Sequence, residues 1–145
     1  MEELIELRHH IQQGRYQDAL VLIGEMDEMS RDDKINKIES FLQVLLVHLI
    51  KQDVERRTTR SWDISISNAA DAIRRVNRRR KSGGFYLDEQ ELQASINEIY
   101  PSALRTASLE AFQGRFDEQA LAERVDEARI GQKALAAISL SASMN

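Results

Sequence analysis

The sequence predicts an all-α fold: a compact helical bundle of about six helices around one central apolar helix near residues 31–52. Three observations carry that prediction. From Phe41 to Ile50 every position is apolar except Gln43 and His48, and a stretch apolar on nearly all sides belongs inside a bundle. Residues such as Ile35, Ile38, Leu42, Leu45 and Leu49 recur at spacings of three and four, the pattern of a bundle seam, and strand-like alternation does not occur. One proline, six glycines and 30% charged residues suit helices, while the lack of cysteine excludes disulfides and thiolate metal sites.

Each element follows from local chemistry. Glu2 to Gln13 reads as a first helix with Leu4, Leu7 and Ile11 on one stripe, and Gly14 as its left-handed stop. A second helix is expected from Tyr16 to Met29, antiparallel to the first because the turn is short. Ser30-Arg31-Asp32-Asp33 resembles a capping box, so the central helix should begin there and run to about Gln52. Asp53 to Arg60 has no helical stripe. Ser61 is placed to cap a helix carrying Trp62, Ile66, Ala69, Ile73 and Val76, which ends in the basic run Arg78 to Lys81 before Ser82-Gly83-Gly84. Asp88 should cap a shorter helix with Leu92, Ile96 and Ile99. Pro101 fits the first turn of another, with Tyr100 extended before it and Gly114 as the stop. A last helix is expected from Asp117 to Ile138, weakened in its middle by Gly131. The chain therefore reads as one domain, residues 1–138, with a frayed tail over 139–145. Gly14-Arg15-Tyr16 and Gly114-Arg115-Phe116 read as one helix-hairpin turn used twice, since solenoids need about three stacked units.

The net charge of -4 conceals an asymmetry. Residues 1–40 carry ten acids against five bases, and residues 56–81 carry nine bases against Asp63 and Asp71. The two regions either face each other or are each a solvated face. The first residues have neither the basic flank nor the apolar core of a signal peptide, and the central run is half the length of a membrane span. A cytoplasmic location without membrane contact is expected.

Several motifs together resemble a known family. Glu25 to Ser30 forms an acidic helix segment, Leu45-Leu46-Val47-His48-Leu49-Ile50-Lys51 a Leu-Leu-x-His-Leu-x-Lys block, and Arg60-Ser61-Trp62 the end of a basic loop. Tyr100, Ala103, Ala107 and Glu110 follow a Tyr-x-x-Ala-x-x-x-Ala-x-x-Glu pattern. Over roughly residues 15–112 this order is similar to the Domain of Unknown Function 29 family, uncharacterised helical proteins found mainly in cyanobacteria and other bacteria. Gln52-Asp53-Val54-Glu55 lacks the aromatic and proline usual there, and the segment from Asp117 looks like a replacement of the family's usual C-terminus. The resemblance implies a compact helical bundle and no established activity.

Two sets of residues are candidate sites. His48 lies on the apolar side of the central helix and could meet Glu25, Glu28, Arg60, Trp62 and Glu110 in a buried polar cluster. A structural imidazole bonded to one or two partners outweighs a metal ligand, because the Glu-x-x-His pairing of di-metal bundles is absent. Trp62 reads as core and Ser61 as a cap, and His9 and His10 as a solvated pair with diverging rings. Arg74, Arg75, Arg78 and Arg79 share a helical face that suits phosphate or an acidic partner, although an acidic chain argues against nucleic acid. No glycine-rich phosphate loop or nucleophile elbow is present, and no cofactor is implied. The expectation is a non-catalytic module that binds a protein partner or a second copy of itself. A metal-dependent hydrolase or small-ligand enzyme centred on His48 is the first alternative. Nucleic-acid binding through residues 74–81 is the second.

Overall fold

Between Tyr16 and Glu55 there is no proline and one glycine, Gly24, and a single glycine costs about 1 kcal/mol in a helix that burial can hold. In the computed structural model, which describes residues 2–79 and 83–139, this whole stretch is one helix, α2 (Tyr16–Glu55). The expected break at Ser30 does not occur. Ser30, Asp32 and Asp33 are exposed on a continuous helix, because a capping side chain acts only where the preceding residue has already left helical geometry. α2 is about 60 Å long at 1.5 Å per residue. It ends at Arg56 in left-handed conformation (φ 54°).

The C-terminal half of α2 is the core of the molecule. Ile38, Leu42, Leu45, Leu46 and Ile50 are fully buried, and α3, α4 and α6 all pack against α2. α3 (Arg60–Asn77) is capped by Thr59, whose hydroxyl accepts from the Trp62 amide, so Ser61 lies inside the helix rather than ahead of it. After Asn77 the chain turns sharply, with Gly83 and Gly84 both at positive φ. Asn77 organises this turn: its side-chain amide donates to the Leu87 carbonyl (2.9 Å) and accepts from the Leu87 N–H (2.8 Å). Arg80, Lys81 and Ser82, the end of the expected basic run, lie outside the described residues, as does the expected tail from residue 140.

α4 (Glu89–Glu110) starts in the capping box of Asp88 and Glu91. It runs straight through Pro101, and Tyr100 is helical rather than extended. Proline in a helix interior costs about 3 kcal/mol, offset here by the burial of Ile96, Tyr100, Ala103 and Leu104 on either side of it. A 3-10 turn (Ala111–Gly114) follows, with Phe112, Gln113 and Gly114 all at positive φ. The expected last helix is two: α5 (Glu118–Ala122), capped by Asp117, and α6 (Glu127–Ile138), capped by Asp126. Two N-cap aspartates nine residues apart give the backbone two starts, and the break lets α6 turn onto the core. Arg129 at the start of α6 grips Asp53 of α2 through two hydrogen bonds of 2.9 and 3.0 Å. That hydrogen bond and the Asp53 charge raise the Arg129 pKa further above its ordinary value. Gly131, expected only to weaken this helix, is buried where α6 approaches Gln93 and Ile96 of α4.

α1 (Glu2–Gln12) buries none of its residues. It packs on the first turns of α2, where Ala19 and Leu22 are the buried contacts, after the turn at Gly14 (φ 74°). Arg15 closes that turn by donating to His10 Nδ1 (3.1 Å). The α1–α2 hairpin thus carries most of the exposed large apolar residues, the others being Val44, Ile64 and Leu109. Leu4, Ile5, Ile11, Tyr16, Leu20, Val21, Ile23 and Met29 are all exposed, Ile5 to 69%.

Candidate functional site

The expected polar cluster divides. Trp62 and Glu110 meet, and what joins them is Lys51. Lys51 stands four residues after buried Val47 and three before buried Val54, on the inward stripe of α2, and is only 7% exposed. Its ammonium lies 2.9 Å from Glu110 Oε1 and 4.8 Å from the centre of the Trp62 ring. Arg57, from the loop after α2, places its guanidinium 4.7 Å from the same ring. Trp62 is therefore half-buried and held between charges, not a core residue. Glu55 completes the junction: one oxygen accepts from Arg57 Nε (2.9 Å) and the other from the Phe112 amide (3.1 Å). The end of α2, the start of α3 and the end of α4 meet here around a cleft of about 360 Å³.

The remaining expected members are elsewhere. Glu25 and Glu28 are exposed on the N-terminal half of α2, about 35 and 30 Å along the helix axis from His48. His48 is half-buried and its Nδ1 lies 2.8 Å from the Val44 carbonyl one turn back. Arg60 is exposed at the first position of α3. Among the described residues no three histidine, aspartate or glutamate side chains converge as a metal ion requires.

The arginine set also divides. Arg74 turns away from the others to donate to the Ala137 carbonyl (2.7 Å) and the Ile138 carbonyl (3.1 Å), and it pairs with Asp71. It satisfies the last carbonyls of α6, which otherwise lack partners at a helix end. Arg75, Arg78 and Arg79 instead line a cleft of about 690 Å³ on the other side of α3, facing α2. Two lysines from α2, Lys34 and Lys37, line it too.

Sequence reasoning missed Lys51, Glu55, Lys34 and Lys37. Lys51 was findable, as the one charge on an otherwise apolar stripe. Lys34 and Lys37 were not, because they lie in the acidic segment and reach the arginines only through packing.

These features define an all-α bundle built on one long helix, with a charged junction at one end and an apolar hairpin at the other. The model of the domain of unknown function DUF29 matches residues 4–126, and the chain belongs to that family. The matched region extends through α1 and α5, so the segment from Asp117 continues the family's domain as far as residue 126 rather than replacing it. No curated protein and no solved structure matched the chain. No helix among the described residues is long and apolar enough to cross a membrane.

Proposed function

We propose that the chain is a non-catalytic protein-binding module and that the α1–α2 hairpin is its binding face. One observation supports this above all: eight large apolar side chains remain exposed on that hairpin, whereas on the other half of α2 only Val44 is exposed among the large apolar residues. Tyr16, Leu20 and Ile23, at on the order of 100 Å² each, share one stripe of α2 and together form a patch of roughly 300 Å². Patches of this size on a folded domain are often functional.

Charge selects the occupant. Residues 2–29 carry seven acids (Glu2, Glu3, Glu6, Asp18, Glu25, Asp27, Glu28) against Arg8 and Arg15. Two copies joined face to face would bring two net charges of -5 together, whereas a basic amphipathic helix would pair its cations with these acids. The partner is therefore a protein that presents such a helix.

A titration of the full chain with a lysine- and leucine-patterned amphipathic helical peptide tests the proposal. One-to-one binding is expected, with a same-composition scrambled peptide binding far less. Ile5→Asp with Leu20→Asp should weaken binding at least ~30-fold, the effect of losing about 2 kcal/mol at a hot spot. Equal binding of both peptides, or of wild type and variant, would reject it. Concentration-dependent dimerisation abolished by the same variant would instead assign the face to a second copy.

A further inference from the structure

The cleft between α2 and α3 has a composition that the fold does not require. Lys34 and Lys37 of α2 converge there with Arg75 of α3 and with Arg78 and Arg79 just beyond it. Cations at Arg75 and Arg78 are favoured by the C-terminal dipole of α3, but that argument does not reach Lys34 and Lys37 in the middle of α2. Among the described residues, none of Lys34, Lys37, Arg75 and Arg79 has a carboxylate within ion-pair distance. These four like charges around one concavity repel one another, a cost that a bound anion would reverse. Phe41, Val76 and Tyr86 supply apolar surface, and Arg79 is held with its guanidinium 5.3 Å from the Tyr86 ring centre. The volume, about 690 Å³, is that of a small-molecule site.

We infer that this cleft binds a small phosphorylated molecule carrying at least two phosphate groups. One phosphate is satisfied by two or three cations, and five set on two facing walls suit a longer anion. Asp27 is the one acid among the lining residues, and its charge opposes a bound anion. The inference does not rest on the hairpin as a protein-binding face, and of the residues used only Asp27 belongs to both.

Calorimetric titration of the full chain with inorganic pyrophosphate at low ionic strength is the test. One-to-one binding is expected, tighter than for orthophosphate and weakened by salt. Lys37→Gln and Arg75→Gln should each lower affinity about tenfold or more, as expected for losing a charge-assisted hydrogen bond. Lys133→Gln, an equal charge change on an exposed position of α6 outside the cleft, should not. Asp27→Asn should tighten binding, a gain that no folding defect would imitate. No saturable binding, or equal loss in the Lys133 variant, would overturn the inference. Tighter binding of a single-stranded oligonucleotide that displaces pyrophosphate would overturn it as well, by assigning the cleft to nucleic acid.

Discussion

Asn77 extends with its side chain the short backbone bridge between Arg78 and Phe85. It is fully buried at the end of α3, and its amide meets both the N–H and the C=O of Leu87. Asn77→Ala would leave two buried backbone groups without partners and should cost about 3 kcal/mol, read as a lower urea midpoint at unchanged slope. Arg56 presents the opposite case. It holds a left-handed conformation as the C-cap of α2, where a side chain is strained and glycine is not. Arg56→Gly should raise stability by up to ~1 kcal/mol in the same measurement.

Tyr100 supplies a pH dependence. Burial, and then the charges of Glu127, Asp53 and Asp126, push its pKa up to about 12 from an ordinary value of 10.0. The neutral phenol is the form the fold accommodates. Above pH 10.0 the unfolded chain gives up this proton while the folded one keeps it, so the unfolded state is favoured. Stability from this group is intact below pH 10.0 and should fall by about 1.4 kcal/mol per pH unit until pH 12. Tyr100→Phe should remove that part of the alkaline decline in pH-dependent urea unfolding. An identical slope in the variant would refute the assignment.

At the level of elements, α2 is the feature to explain. Its apolar run was legible from periodicity, as were the starts at Asp88 and Asp117, the stop at Ile138 and the turn at Gly14. Its length was not. Ser30 looks like a cap in any local reading, and only the absence of a preceding turn, a property of the folded backbone, makes it an ordinary helical residue. Pro101 misleads for the same kind of reason, since burial of Tyr100, Ala103 and Leu104 offsets a local penalty. Gly24 remains the weakest point of α2, with open space where a Cβ would be. Gly24→Ala should stabilise the helix by about 1 kcal/mol, visible as a higher thermal midpoint.

Across the whole molecule, stability is unevenly distributed. The half of α2 from Ile38 to Val54 is enclosed by α3, α4 and α6, whereas α1 has no buried residue. Native-state hydrogen exchange should therefore show α1 and the first turns of α2 opening at far lower free energy than residues 38–54. Bound amphipathic peptide should slow exchange in the hairpin, and pyrophosphate should slow it around the cleft instead. Uniform protection along α2 would contradict the division into a filled end and an open one.

The sequence alone determined that this chain is helical, that residues 41–50 lie at its centre, and that acids and bases are segregated along it. Those follow from spacing and composition, which act within a turn or two of helix. Only the tertiary structure decided that Lys51 reaches Trp62 and Glu110, that Arg74 caps α6, and that Lys34 and Lys37 join Arg75, Arg78 and Arg79. It also separated Glu25 and Glu28 from His48. Which side chains meet depends on how long each helix runs and which neighbour it packs against, and no local pattern encodes either.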